Sequence, residues 1–141
     1  MTDLTDLYSK RILALAADIP HTGILEGVTP VKKRSPLCGS TVTAYAVIAD
    51  GRVVDFAQTV RACALGQASA SVLGAHALGR TRTELEAARA ALVAMLSENG
   101  PTPPAPFEAL EVLRPAAEFP NRHPSVLLAW DALIGCFDVK S

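Results

Sequence analysis

Long apolar runs, an excess of either charge, and aromatic residues are all scarce in this 141-residue chain. Each shortage removes a class of function. No stretch of about 18 consecutive apolar residues occurs, so no membrane-spanning helix is expected. The formal net charge is −1, from 13 basic and 14 acidic residues. Bulk electrostatics therefore offers no hold on nucleic acid or an anionic membrane, and neither is expected as a partner. The start, Met1-Thr2-Asp3-Leu4, lacks the basic and apolar segments of a secretory signal. Three cysteines are an odd count, whereas a disulfide framework uses an even one. The expectation is a cytoplasmic protein with reduced thiols. Hydrophobic residues make up 50% of the chain and charged ones 19%, which argues against a disordered linker. With aromatics at only 5%, the core must be built from small and aliphatic side chains that let elements approach closely. The length suits one domain, residues 1–141, with a core of its own.

Periodicity gives the elements. Leu4, Tyr8, Ile12, Leu15 and Ile19 recur at helical spacing, and Pro20 ends that segment. Residues 20–37 read as a mostly irregular connection with one short strand at Gly23 to Val28. Their basic run, Lys32-Lys33-Arg34, reads as solvated surface or a contact for an acidic partner. Thr41 to Ile48 and Val53 to Val60 are rich in β-branched residues. Asp50-Gly51 between them predicts a two-residue hairpin turn. That turn pairs residues whose numbers sum to 101, setting Tyr45 opposite Phe56, Val47 opposite Val54 and Cys38 opposite Cys63.

Helical patterns follow. Gly66 through Leu78 is small and apolar almost throughout, with Gly79 as its stop. Thr81-Arg82-Thr83-Glu84 fits a capping box, followed by a buried stripe of Leu85, Ala88, Leu92, Met95 and Leu96. Residues 99–106 hold four prolines and read as a rigid loop. A short helix over Phe107 to Leu113 should stop at Pro115. The last helix should start near Asn121 or His123, with Pro124 in its first turn and Val126, Trp130, Leu133 and Phe137 buried. The expected fold class is α+β: an antiparallel three-stranded sheet with helices packed on one side.

The chemistry-bearing residues cluster at one end of this scheme. Cys38 precedes Gly39 just ahead of the first hairpin strand. Cys63 stands where the second strand gives way to a helix, and the positive end of a helix favours a thiolate. Two thiols at one sheet end can handle soft metals or sulfur, although buried free cysteines are also common and inert. Cys136 falls beside Leu133 and Phe137 and reads as core. His76, amid small apolar residues, reads as a satisfied buried group, and His21 as a loop residue. No phosphate-binding glycine loop, nucleophile elbow or carboxylate pair appears.

Pro36-Leu37-Cys38-Gly39, Asp50-Gly51, Cys63-Ala64-Leu65-Gly66-Gln67-Ala68-Ser69-Ala70-Ser71, Phe119-Pro120-Asn121-Arg122 and Leu128-Ala129-Trp130 occur in that order. Together they resemble the SufU branch of the U-type iron–sulfur cluster assembly scaffolds, whose other branches are IscU and the N-terminal domain of NifU. The resemblance spans nearly the whole chain. It implies a small α+β scaffold that holds zinc or an iron–sulfur cluster at the sheet end through three cysteines and an aspartate. It also implies a cysteine desulfurase as partner.

Carried over by position, Cys38 and Cys63 match the first two cysteines. Ser40 stands where the aspartate belongs and Ser125 where the third cysteine belongs. Hydroxyls are poor ligands for zinc or iron, so two thiolates alone should hold metal far more weakly. His123, two residues before Ser125, is a better replacement ligand than Cys136, but a helix-capping or solvent-facing histidine is the simpler reading of it. The implied function is an assembly scaffold that binds metal or accepts sulfur through Cys38 and Cys63, rather than a turnover enzyme. Alternatives are a paralogue without tight metal binding that acts in interaction or regulation, and a persulfide relay. The chain would act as a monomer, or as a homodimer that pools its thiols.

Overall fold

The computed structural model describes residues 9–36 and 39–139. Helix α1 (Lys10–Ala17) leads to strands β1 (Val31–Arg34), β2 (Thr41–Ala49) and β3 (Arg52–Arg61). Helices α2 (Ala64–His76) and α3 (Arg82–Glu98) follow. A 3-10 segment (Glu108–Glu118) then leads to helix α4 (His123–Gly135). The sheet is antiparallel in the order β1-β2-β3, so the α+β class holds.

The hairpin turn forms as its sequence requires: Asp50 and Gly51 take φ of 52° and 75°. Ala49 faces Arg52 and Ile48 faces Val53. The register then shifts by one between Val47 and Ile48, so Ala46 faces Phe56, Tyr45 faces Ala57 and Val47 faces Asp55. The expected pairs Tyr45–Phe56 and Val47–Val54 are therefore corrected. The reason is burial. Val53 and Phe56 are both buried, yet three positions apart they would point to opposite faces of a regular strand. An extra residue at Val54, which is exposed, lets both face the core. At the same place the Asp55 carboxylate accepts the amide of Phe56 (2.9 Å). The sum-to-101 register does not reach the far end of the hairpin, where Thr41 faces Arg61.

The expected strand at Gly23 to Val28 is not one. The third strand is instead β1, which contains Lys32-Lys33-Arg34. These side chains are exposed on an edge strand, where charge discourages further pairing. The other edge, β3, is covered. Gly23 N donates to Gln58 O and Gln58 N to His21 O, both at 2.9 Å. Near the turn, Val53 N donates to Arg80 O at 3.0 Å.

Helix α2 is buried along most of its length, from Leu65 to Gly74. It carries few large side chains, so neighbours approach closely. Helix α3 begins with the expected capping box: Glu84 N donates to Thr81 Oγ1 and Thr81 N to Glu84 Oε1. Its buried residues are the stripe read from the sequence.

Three readings change. The segment after the prolines is a 3-10 helix over Glu108–Glu118 with Pro115 inside it, wound more tightly than the expected α-helix. Phe137 is only half-buried, while Cys136 is buried. His76 is exposed, its ring edge-on to Phe107 at 6.1 Å, because it lies in the last turn of α2 rather than in its packed middle. His21 is an exposed loop residue, as expected.

Candidate functional site

One corner of the molecule gathers residues from three distant segments. β2 is preceded by Ser40, whose carbonyl accepts the amide of Ser35 at 2.8 Å across the β1–β2 connection. β3 runs into α2 through Cys63, which is the residue before the first helical turn and whose carbonyl accepts Gln67 N at 2.9 Å. α4 supplies Ser125 from its own first turn. The Cys63 Sγ and Ser125 Oγ lie 3.5 Å apart, and Ser125 Oγ donates to Ser40 Oγ at 3.1 Å. Ser40 and Ser125 are buried and Cys63 is half-buried. The sheet end, the start of α2 and the start of α4 thus converge on a short chain of polar contacts with one thiol at its outer end.

Cys38, expected opposite Cys63, lies outside the described residues. Among the described residues no group of three or more His, Cys, Asp or Glu side chains is placed to hold a metal ion.

The other candidates sit elsewhere. His123 Nε2 is 2.8 Å from the carbonyl of Ala116. A carbonyl only accepts, so that nitrogen carries the proton and is committed to a structural bond. Cys136 points its thiol at the carbonyls of Ala132 (3.4 Å) and Ala44 (3.6 Å). Burial pushes its thiol up from the ordinary range to about 11, which keeps it protonated and inert. It is a core residue, as its neighbours in the sequence suggested.

The serines of α2 do more than keep the helix slim. Ser69 Oγ donates to Val126 O at 2.7 Å and accepts from Trp130 Nε1 at 3.0 Å. Ser71 Oγ donates to Asp18 O at 3.2 Å. Their small size was visible in the sequence, whereas partners more than fifty positions away were not.

A crystal structure of the N-terminal part of a nitrogen-fixing NifU-like protein from Brucella abortus is 44% identical. The match covers 96% of this chain and 94% of that one, with a TM-score of 0.90. The chain belongs to the U-type iron–sulfur scaffold family. The iron–sulfur cluster assembly scaffold protein IscU of Streptococcus pyogenes serotype M1 is 28% identical over 137 residues. That alignment takes in 94% of this chain and 84% of the relative. A crystal structure described as a scaffold protein for the SUF system, from Fervidobacterium islandicum, shares the fold at 21% identity and a TM-score of 0.80, covering 93% of this chain and 96% of that one. No family model matches the chain. Among the described residues no helix is long and apolar enough to cross a membrane.

In this U-type chain the corner differs chemically from a four-ligand site. Ser125 Oγ donates to Ser40 Oγ and lies against Cys63 Sγ, so both hydroxyls have protein partners. Protonated hydroxyls compete poorly with thiolates and imidazoles for zinc or iron. Among the described residues the donors at this corner, one thiol and two hydroxyls, do not by themselves make a closed metal centre.

Proposed function

We propose that this chain is an iron–sulfur assembly protein whose thiols Cys63 and Cys38 accept sulfur and hold iron loosely, with the forming cluster as cargo rather than a resident cofactor. The observation that carries this reading is the meeting of Cys63, Ser125 and Ser40 in one corner. Three of the four positions that the family resemblance assigns to ligands converge there, although 85 positions separate the outermost two. A half-buried thiol beside a helix start is accessible to a donor and sheltered on its inner side.

The sulfur step is thiolate chemistry. The Cys63 thiolate attacks the outer sulfur of a persulfide on a cysteine desulfurase. A new S–S bond forms at Cys63, the donor's S–S bond breaks, and its electron pair leaves with the donor cysteine as thiolate. Sulfur moves at unchanged total oxidation level, so no further reagent is required. Iron would then meet the Cys63 persulfide and the Cys38 thiolate, with zinc as a competitor for the two thiols before sulfur is loaded.

A second reading is favoured by the hydroxyl pair. Ser125 Oγ donates to Ser40 Oγ, and hydroxyls where the family resemblance places a carboxylate and a thiolate suit an interaction or regulatory member of the family without tight metal binding. Anaerobic reconstitution with ferrous iron and sulfide, followed by iron and labile-sulfide analysis per chain, separates the two. The assembly reading expects iron and sulfide that exchange readily to a chelator and vanish in Cys63→Ser. Neither iron nor sulfide bound, with no zinc taken up instead, overturns it in favour of the interaction role.

A further inference from the structure

The corner depends on one contact that α4 does not secure by itself. The first turn of α4 has no side-chain cap: Arg122 precedes it without bonding its amides. What fixes this turn on its inner side comes from α2. Ser69, fully buried, spends its one proton on Val126 O (2.7 Å) and accepts the Trp130 indole N–H (3.0 Å). It thereby clamps one whole turn of α4 immediately after Ser125. One turn earlier on α2, Gly66 leaves the space that Ser125 fills. A Cβ there would lie 2.7 Å from Ser125 Oγ, 3.0 Å from Ser125 O and 2.9 Å from Ala62 Cβ. Two of these are backbone or backbone-fixed atoms that cannot swing aside, so α4 would have to move.

We infer that Gly66 and Ser69 are positioning residues that seat the start of α4 on α2 and thereby set residue 125 against Cys63. Gly66 fixes how close the two helices come, and Ser69 fixes how α4 is placed along α2. Neither touches a reacting atom. The functional meaning of the seat rests on the corner being the working site, but the geometry is testable without iron or sulfur donors.

The test introduces Ser125→Cys in a Cys38→Ser background, so that positions 63 and 125 can form a disulfide. Equilibration against reduced and oxidised glutathione, with peptide mapping, gives their effective concentration. Each disulfide formed consumes one oxidised glutathione and releases two reduced ones. The seat predicts a high effective concentration that falls about tenfold or more when Ser69→Ala or Gly66→Ala is added, because small displacements of paired groups are costly in this quantity. Ser69→Thr, which keeps the hydroxyl, should restore most of the Ser69→Ala loss. Leu96→Ala, a core truncation on α3, should lower unfolding stability and leave the effective concentration unchanged. Gly66→Ala need not fold for the test to decide, since Ser69→Ala and its threonine rescue suffice. The inference is overturned if Ser69→Ala leaves the effective concentration at the parent value, if Leu96→Ala lowers it equally, or if no Cys63 disulfide forms in the parent.

Discussion

Cys63 and Ser125, 62 positions apart, place their Sγ and Oγ atoms 3.5 Å from each other. That contact joins the end of the hairpin to the start of α4. It makes residue 125 a neighbour of the thiol whatever side chain stands there. Changing that side chain therefore tests the corner's chemistry without rebuilding its geometry.

Ser125→Cys combined with Ser40→Asp restores a sulfur and a carboxylate at the two hydroxyl positions. Zinc affinity, measured by competition with a chromophoric chelator, should rise by at least about a hundredfold. Even partners outside the ligand shell are worth about 10–100-fold in metal affinity, and ligands more. No gain would show that these positions do not share one site with Cys38.

Thr81 and Glu84 close the start of α3 reciprocally. The Thr81 amide holds the Glu84 carboxyl below the ordinary carboxylate range. Thr81→Ala should cost about 1 kcal/mol in urea unfolding at neutral pH. Glu84 with a depressed folded-state value contributes stability above its unfolded value that is lost as pH falls through the folded one. Thr81→Ala keeps that amide, so its cost should vary little with pH, whereas the wild-type advantage over Glu84→Gln should shrink in acid.

Cys136 gives the opposite pH dependence. Its buried thiol titrates near 11 instead of its ordinary 9.0. A raised value favours the folded state below the unfolded value, and that stability is lost as pH rises from about 9 toward 11. Urea unfolding should show wild type losing stability over this range relative to Cys136→Ala, by on the order of 2 kcal/mol. Parallel pH profiles would show that burial does not hold this thiol neutral.

The Asp50-Gly51 turn needs positive φ at both residues. Gly51→Ala places a side chain at φ of 75° and should destabilise the chain by about 1 kcal/mol. Asp50→Gly should be nearly neutral. Both are read from denaturant midpoints.

Local patterns were legible wherever the decisive interaction is local. The Thr81 capping box, the Leu85-to-Leu96 stripe and the Asp50-Gly51 turn all declare themselves within a few residues. The register of β2 and β3 did not, because the bulge at Val54 answers to the core's demand for both Val53 and Phe56 rather than to the turn. β1 was misplaced for a related reason: Lys32 to Arg34 are exposed and charged, and only pairing with β2 makes the segment a strand. At the corner, Cys63 and the positions of Ser40 and Ser125 were readable through the family motifs. The seat formed by Gly66 and Ser69 was not, since it joins partners about 57 positions apart.

The most direct measurement is the mass of the Cys63 peptide after anaerobic incubation of the chain with a cysteine desulfurase and cysteine. The account predicts a gain of about 32 Da on that peptide, one added sulfur, reversed by a thiol reductant and absent in Cys63→Ser. An unmodified Cys63 beside a desulfurase that is visibly turning over would contradict it.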